Sequence, residues 1–451
     1  MQAATPGTDQ ANRAARRGER HSRLWDPAIE TLPRERMEKL QLARLRATVG
    51  RVLATSSPLG NRLRSAGVAT LEDVRSLADL RRLPFTRKTD LREHYPFGLF
   101  AVPVDQLVRM HASSGTRGKP TVVGYTRNDL AVWSQVVARC LTMAGVRPGM
   151  VVHNANGYGL FTGGLGLHQG AELIGCAVVP VSGGMTQRQV MLLQDLGGQV
   201  LCATPSYALN IAEALETAGI DPLTLELEVG IFGAEPWTEE LRGELERRLG
   251  IVAQNMYGLS EIVGPGVSAE CIEGRDGSHI QEDHFLPEIV DPETGEPLPA
   301  GQEGELVLTP ITKEALPLIR YRTGDISSLD ATPCVCGRTT ARMSRVRGRY
   351  DDMLIIRGVN LYPSEVERIL LAVGDVAPQY QLVVDRLGAM DELTLLCEPA
   401  RDGLDRDRLR SRLQRDLYEQ TGISIAVAVL ERAGVPRSEG KAVRVVDRRP
   451  R

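Results

Sequence analysis

Between residues 151 and 254, short apolar runs rich in Val and Ile alternate with segments of helical periodicity. No other feature restricts the fold so strongly. The runs are Val151–Val152, Cys176–Val181, Gln199–Cys202, Val229–Phe232 and Ile251–Gln254; residues 127–145 and 187–197 carry the helical spacing. A strand that is apolar on both faces needs cover on both sides, which a parallel sheet between helices supplies. The alternation therefore predicts βαβ units and a largely parallel sheet. An amphipathic helix over 34–53 precedes it. After about residue 285 the texture changes to strand-like pieces, Phe285–Val290 and Gly304–Leu308, separated by turn signals such as Asp291-Pro292-Glu293-Thr294-Gly295. Beyond the polar junction Gly348-Arg349-Tyr350-Asp351-Asp352 lie a short strand at Met353–Ile356, a helix opening at Pro363 and strands near 379–384 and 392–397. A helix over 404–421 and a final strand near 424–430 complete this part.

A chain of 451 residues exceeds one compact core. The expected fold class is α/β: a large N-terminal α/β domain with parallel sheets, bearing a β-rich subdomain at about 285–345, and a small mobile α+β C-terminal domain. The expected boundaries are a disordered tail over 1–23, a core over 24–350 and a C-terminal domain over 351–451. A net charge of -3 gives no nucleic-acid footprint. No apolar run approaches the roughly 18 residues of a membrane span, and the N-terminus lacks the apolar stretch of a secretion signal. Seven scattered cysteines fit a reducing cytoplasm.

Of the 54 cationic residues only Lys39, Lys88, Lys119, Lys313 and Lys441 are lysines. Where Arg serves almost everywhere, a surviving Lys points to a need for a compact, flexible ammonium group. Two lysines sit in glycine loops. In His111–Pro120, glycines let backbone N–H groups approach a ligand while Ser113, Ser114, Thr116, Arg117 and Lys119 offer partners for phosphate oxygens. The loop is not a Walker A sequence, because Ser113 and Pro120 stand where that pattern needs Gly and Ser/Thr. Lys441 lies in Pro436-Arg437-Ser438-Glu439-Gly440-Lys441. Between them, Asn255-Met256-Tyr257-Gly258-Leu259-Ser260-Glu261 is expected at a strand's carboxyl end, with Glu261 suited to Mg²⁺. In Tyr321-Arg322-Thr323-Gly324-Asp325, a carboxylate after a glycine turn suits ribose hydroxyls.

These motifs, in this order, resemble the AMP-forming acyl/aryl-CoA ligase superfamily. Asn154–Gly166, Pro180–Thr186, Thr204-Pro205-Ser206-Tyr207, Phe232–Thr238, His279–Asp291 and Asp351–Asn360 resemble the phenylacetate–CoA ligase family in particular, over roughly residues 24–449. The resemblance implies ATP-dependent conversion of an aryl acid to its acyl-AMP, followed by thioester formation with coenzyme A. It implies that Ser113–Lys119 holds the ATP phosphates and that Gly233, Ala234, Glu235, Pro236, Asn255, Met256, Tyr257 and Gly258 surround the nucleotide. Glu261 then takes Mg²⁺, Asp325 binds ribose and Arg349 lies beside the nucleotide. Asp351 is the hinge, and Lys441 contacts the reacting carboxylate and phosphate. Asn156, Tyr158, Phe161, Gly233, Gly258 and Pro265 are expected at the aryl pocket. The small domain is expected to rotate between half-reactions, exchanging Lys441 for the Gly358 loop. Assembly as a homodimer follows from the same resemblance.

Three positions depart from the family. Arg117 replaces a usual Thr; Asn156 replaces a frequent Tyr; and Leu53–Leu63 lacks the usual aromatic residues. A buried amide at 156 would need a partner, which predicts a ring with a polar substituent, as in hydroxy- or aminobenzoates. Some members carry a Cys3His set matching Cys271, His279, Cys334 and Cys336, a structural Zn²⁺ combination, with His284 as an alternative nitrogen ligand. Cys140, Cys176, Cys202 and Cys397 are expected in the core. Two other readings stand beside the CoA ligase. One is transfer of the acyl group to a carrier protein or an amine in natural-product biosynthesis. The other is a nucleotide-binding scaffold without activity, against which the presence of Glu261, Asp325 and Lys441 argues.

Overall fold

The computed structural model describes residues 24–55, 57–113, 120–357, 359–387 and 390–449. The expected tail, the loop residues Ser114, Gly115, Thr116, Arg117, Gly118 and Lys119, and Gly358 lie outside the described residues.

A nine-stranded sheet organises the large domain. Five strands are parallel, ordered 177–179, 151–154, 200–203, 229–233 and 252–259. Side chains alternate between two helical layers. Val152, Val200, Cys202, Val229 and Ile231 face the helices Arg127–Met143 and Thr162–Ile174, while Leu201, Ala203, Phe232 and Ala253 face Thr186–Asp195, Pro205–Thr217 and Glu239–Leu249. Two covered faces explain why these strands are apolar without alternation.

The sheet is less parallel than the sequence predicts. After Leu259 the chain returns at once as 264–270, so this strand, 278–280, 342–343 and 329–330 extend the sheet antiparallel. A return of four residues cannot carry the crossover that a parallel neighbour requires. Asn255–Leu259 accordingly lie inside the eight-residue strand Val252–Leu259, and Ser260 and Glu261 follow its end.

The helix Thr162–Ile174 is glycine-rich and carries no sequence signal strong enough to predict it. It forms because its glycines permit close approach to the helix Arg127–Met143. A Cβ on Gly166 would fall 2.4 Å from Trp133, and one on Gly170 2.4 Å from Val137.

An antiparallel sheet of 285–290, 304–310, 321–327 and 348–349 forms the β-rich part, with the N-terminal helices Arg34–Leu53 and Pro58–Ser65 packed against it through Leu286, Ile311 and Ile319. The small domain holds the strands 426–429, 390–399, 376–387 and 445–447, in that order, under the helices Pro363–Ala372 and Arg406–Thr421. The chain therefore does not end its sheet at Ala426–Val429: Val445–Asp447 pairs parallel with 382–384, beyond the lysine loop. That three-residue strand is too short for periodicity to reveal.

Lys313 is the one lysine sealed in the large domain's interior among the described residues. Its Nζ lies 3.4 Å from the Tyr125 ring centroid, has no hydrogen-bond acceptor and is 4% exposed as a residue. Burial lowers its pKa from 10.5 to about 8, against the opposing attraction of Asp129. Between pH 8 and 10.5 the unfolded lysine binds a proton that the folded one has lost, so stability gains with rising pH in that window. Relative to Lys313→Met, the wild type is expected to gain roughly 3 kcal/mol across it. Denaturant unfolding of both proteins at pH 7.5, 9 and 10.5 measures this; parallel pH profiles would refute it.

Candidate active site

In the parallel sheet the chain passes from 151–154 outward to 177–179, then crosses back to 200–203 on the other side of 151–154. Ligands of open α/β sheets bind beyond the carboxyl ends of strands at such a reversal. Here those ends lead into Asn156 and Thr204. The hairpin 109–112/122–125 stands beside them: Ala112 N donates to Leu160 O at 2.9 Å, which sets Ser113 next to the same segment.

Four strands, 229–233, 252–259, 321–327 and 348–349, carry the residues expected beside the nucleotide. Tyr257, on the strand 252–259, donates its hydroxyl to Asp325 Oδ2 at 2.5 Å. Burial and the neighbouring Asp325 carboxylate push the Tyr257 phenol well above its usual range, so it stays a donor. Arg349 Nη1 lies 3.7 Å from Asp325 Oδ1. Met256 is buried, and Asn255 Oδ1 accepts from Trp237 Nε1 at 2.9 Å. Gly233 ends its strand against Met256, where a Cβ would fall 2.1 Å from a carbonyl oxygen, and Ala234 follows with φ 71°. Of Asp351 only the backbone is described, within the short 3-10 turn Tyr350–Asp352.

Glu261 is buried with its Oε1 3.6 Å from Lys88 Nζ. Sequence reasoning did not assign Lys88; its rarity as a lysine was the available signal. A buried carboxylate at a cleft offers the oxygen donor that a hard cation such as Mg²⁺ takes, with Lys88 as the cationic neighbour it would share.

Asn156, Tyr158 and Phe161 lie between the strand 151–154 and the helix Thr162–Ile174. Asn154 Nδ2 donates to Tyr158 Oη at 2.9 Å, which leaves that hydroxyl to donate to His168 Nδ1 at 3.0 Å; His168 Nε2 meets Glu172 at 3.0 Å. Burial pushes the Tyr158 phenol up to about 12. Asn156 is half-buried, and among the described residues its amide reaches only Asn154 Oδ1, at 3.4 Å. Phe161 is 50% exposed. Thr162 Oγ1 bonds Ser260 Oγ at 3.0 Å, which ties this segment to the strands carrying Gly258 and Pro265. Gly258 and Pro265 are register partners, so close that a Cβ on Gly258 would meet the Gly264 carbonyl at 2.0 Å.

The small domain closes the crevice. Glu235 Oε1 accepts from Ser206 N at 2.7 Å and its Oε2 from Ala442 N at 2.8 Å, one donor from each domain. Thr204 Oγ1 donates to Gly440 O at 2.8 Å. Gly183 and Gly184 make room for the loop: a Cβ on either would fall 2.8 Å from Glu439. The exposed Lys441 thereby comes within electrostatic reach of Glu235, Glu261 and Asp325, with Arg349 opposing them. Crowding by protein lowers its pKa, the three carboxylates pull it back up and Arg349 pushes it down.

Away from this cleft, ligand atoms of Cys271, His279, Cys334 and Cys336 all lie within 4.8 Å of one another. Cys271 and Cys334 Sγ are 3.6 Å apart, and Cys336 Sγ is 3.4 Å from His279 Nε2. His279 Nδ1 meets Thr340 O at 3.2 Å, the kind of outer contact that orients a ligating imidazole. His284 does not join them; it pairs with Asp283 and Thr312. Cys140, Cys176, Cys202 and Cys397 are buried in the cores.

Comparison with known proteins shows the family and the fold. The AMP-binding enzyme family model matches residues 46–310, and the AMP-binding enzyme C-terminal domain model matches 358–449. Phenylacetate-coenzyme A ligase of Thermus thermophilus is 54% identical over 94% of this chain and 100% of its own length. The chain belongs to the AMP-binding enzyme family. The Escherichia coli phenylacetate-coenzyme A ligase is 49% identical, with 94% of this chain and 97% of that protein covered. Among solved structures, 2-hydroxyisobutyryl-CoA ligase in the postadenylation state with 2-HIB-AMP matches with TM-score 0.89 at 29% identity, covering 94% of this chain and 92% of that one. The same ligase in the thioesterification state matches with TM-score 0.71, covering 95% and 93%. The domain arrangement here thus follows the postadenylation form.

Proposed function

We propose that this member of the family is an AMP-forming acid–coenzyme A ligase acting on an aryl acid of the phenylacetate type. The observation that carries the reading is Lys441. The small-domain loop that carries this cation docks on Glu235 and Thr204 of the large domain, beside the switch point of the sheet. The names and high identity of the relatives support the substrate class.

The chemistry follows from charge. A carboxylate must attack the α-phosphate of ATP, forming acyl-AMP and breaking the α–β bond to release pyrophosphate, and two anions repel. Lys441 and Lys88 offset that repulsion, and Lys441 stabilises charge that develops at the reacting oxygens. Asp325, its carboxylate oriented by Tyr257 and Arg349, accepts from the ribose hydroxyls. Mg²⁺, which Glu261 would hold, supplies Lewis-acid charge at the phosphates. The acyl-AMP then carries a good leaving group for the thiol of coenzyme A. Docking through hydrogen bonds and partly exposed ion pairs lets the small domain depart after the first step.

Asn156 carries the finer reading. Its amide has one long hydrogen bond, so a polar ring substituent would find a donor and an acceptor there. Zn²⁺ at Cys271, His279, Cys334 and Cys336 is proposed as structural, tying the strands 264–270 and 278–280 to the loop before 342–343.

Three outcomes are expected. Lys441→Ala lowers acid-dependent ATP–pyrophosphate exchange about 10²-fold but leaves thioester formation from preformed acyl-adenylate within a few-fold; equal losses would contradict the role of Lys441. Asn156→Tyr shifts preference from hydroxylated acids towards plain phenylacetate by about tenfold, roughly one lost buried hydrogen bond, in a kcat/KM comparison of the two acids; an unchanged ratio removes the polar-substituent reading. Elemental analysis after zinc-replete expression finds one zinc per chain, and Cys336→Ser lowers both zinc content and Tm; metal-free protein of full stability would exclude the site.

A further inference from the structure

The helix Pro205–Thr217 is buried along most of its length, yet Ser206, Asn210 and Glu213 interrupt its apolar sequence at i, i+4 and i+7. That spacing places all three on one face. Each meets the loop carrying Lys441 or the strand after it. Asn210 Nδ2 donates to Ser438 O at 2.5 Å, and Ser206 Oγ lies 3.4 Å from Arg444 Nη2. Glu213 receives Arg437 Nε and Nη2 at 2.8 and 2.9 Å, a two-point guanidinium–carboxylate pair across the domain boundary.

Arg437 has a second carboxylate within its own domain. Its Nη1 and Nη2 donate to Glu398 at 2.7 and 3.0 Å, and Nη1 also to Val435 O at 2.8 Å. All five guanidinium donors are used. Glu398 is 1% exposed and also accepts from Ala433 N and Val435 N. Arg437 is therefore held in place whether or not the large domain is present, and only the Glu213 half of its contacts breaks when the domains separate.

We infer that Glu213 and Arg437 form a preset electrostatic latch that weights the small domain towards the position in which Lys441 reaches the cleft, making both positioning residues for the first half-reaction. Because Glu398 orients the guanidinium in advance, closure orders few additional groups. The partial exposure of the pair, 26% for Glu213 and 23% for Arg437, keeps it weak enough to release. This rests on the two-step ligase reading for its kinetic consequence but not for its structural one.

Two variants and two readouts test it. Glu213→Gln is expected to lower ATP–pyrophosphate exchange three- to tenfold while thioester formation from preformed acyl-adenylate stays level or rises. Glu213→Arg, which sets two guanidinium groups against each other, should do so more strongly, and added salt should narrow the difference between wild type and Glu213→Gln. Equal losses in both half-reactions, or no change in exchange, would overturn the latch. Spin-label distances between the two domains read the population without turnover: both variants should shift it away from the closed distance, and an unchanged distribution would overturn the latch even if exchange fell. Absence of thioester product from wild type with coenzyme A, alongside a distance shift in the variants, would instead overturn the ligase reading and leave the latch standing.

Discussion

The docking of the small domain turns on a carboxylate of the large domain that takes one donor from each. Glu235 accepts a backbone N–H from Ser206 at the start of a helix of the large domain and another from Ala442 beside Lys441. Both acceptor oxygens are spent on backbone, so the contact fixes a position rather than merely attracting a charge. It also explains the backbone before it. Ala234 adopts φ 71°, uncommon for a residue with a Cβ, and this turn follows directly from the end of the strand 229–233. Local strain at such a place is sustained only where the surroundings hold it, and here two donors from separate domains do so.

The fold is legible in the sequence where burial is two-sided and long. The five parallel strands show themselves because both faces are covered by helices, and the helices Arg34–Leu53 and Arg127–Met143 because each has one apolar face. The antiparallel extension of the sheet is less visible. It depends on a tight return between Leu259 and Gly264, and local patterning says little about which strand a chain will join. The helix Thr162–Ile174 is hidden for the opposite reason to weakness: its glycines lower intrinsic propensity, and the packing against Trp133 and Val137 that overrides this cost is tertiary.

The site divides in the same way. Glu261, Asp325 and Lys441 are legible as chemistry because each pairs a charged group with a glycine turn. Tyr257 as the orienting donor to Asp325 is not, since residues 68 apart meet only through the fold. Gly183 and Gly184 illustrate a third case. Their sequence shows a turn, but the reason for two glycines is the approach of Glu439 from the other domain, which no local rule contains.

The scarcity of lysine acquires a physical meaning once four of the five are located. Lys39 is an ordinary exposed partner of Glu35 one helical turn away, and arginine would serve there. The others share a different environment. Lys313 lies against an aromatic face with no acceptor for its protons, where a guanidinium would bring five N–H donors in need of partners. Lys88 lies 3.6 Å from the buried Glu261, whose charge also acts on the exposed Lys441 of the other domain. A compact ammonium can turn its charge between neighbouring oxygens without the fixed fork of an arginine. Arg437 makes the complementary point. It holds two carboxylates and a carbonyl at once, in fixed directions, which suits a latch and would hinder a group that must follow a reacting centre. The latch to Glu213 thus uses arginine and the contact with Glu261 lysine, while Arg349 keeps a guanidinium's fixed directions beside Asp325.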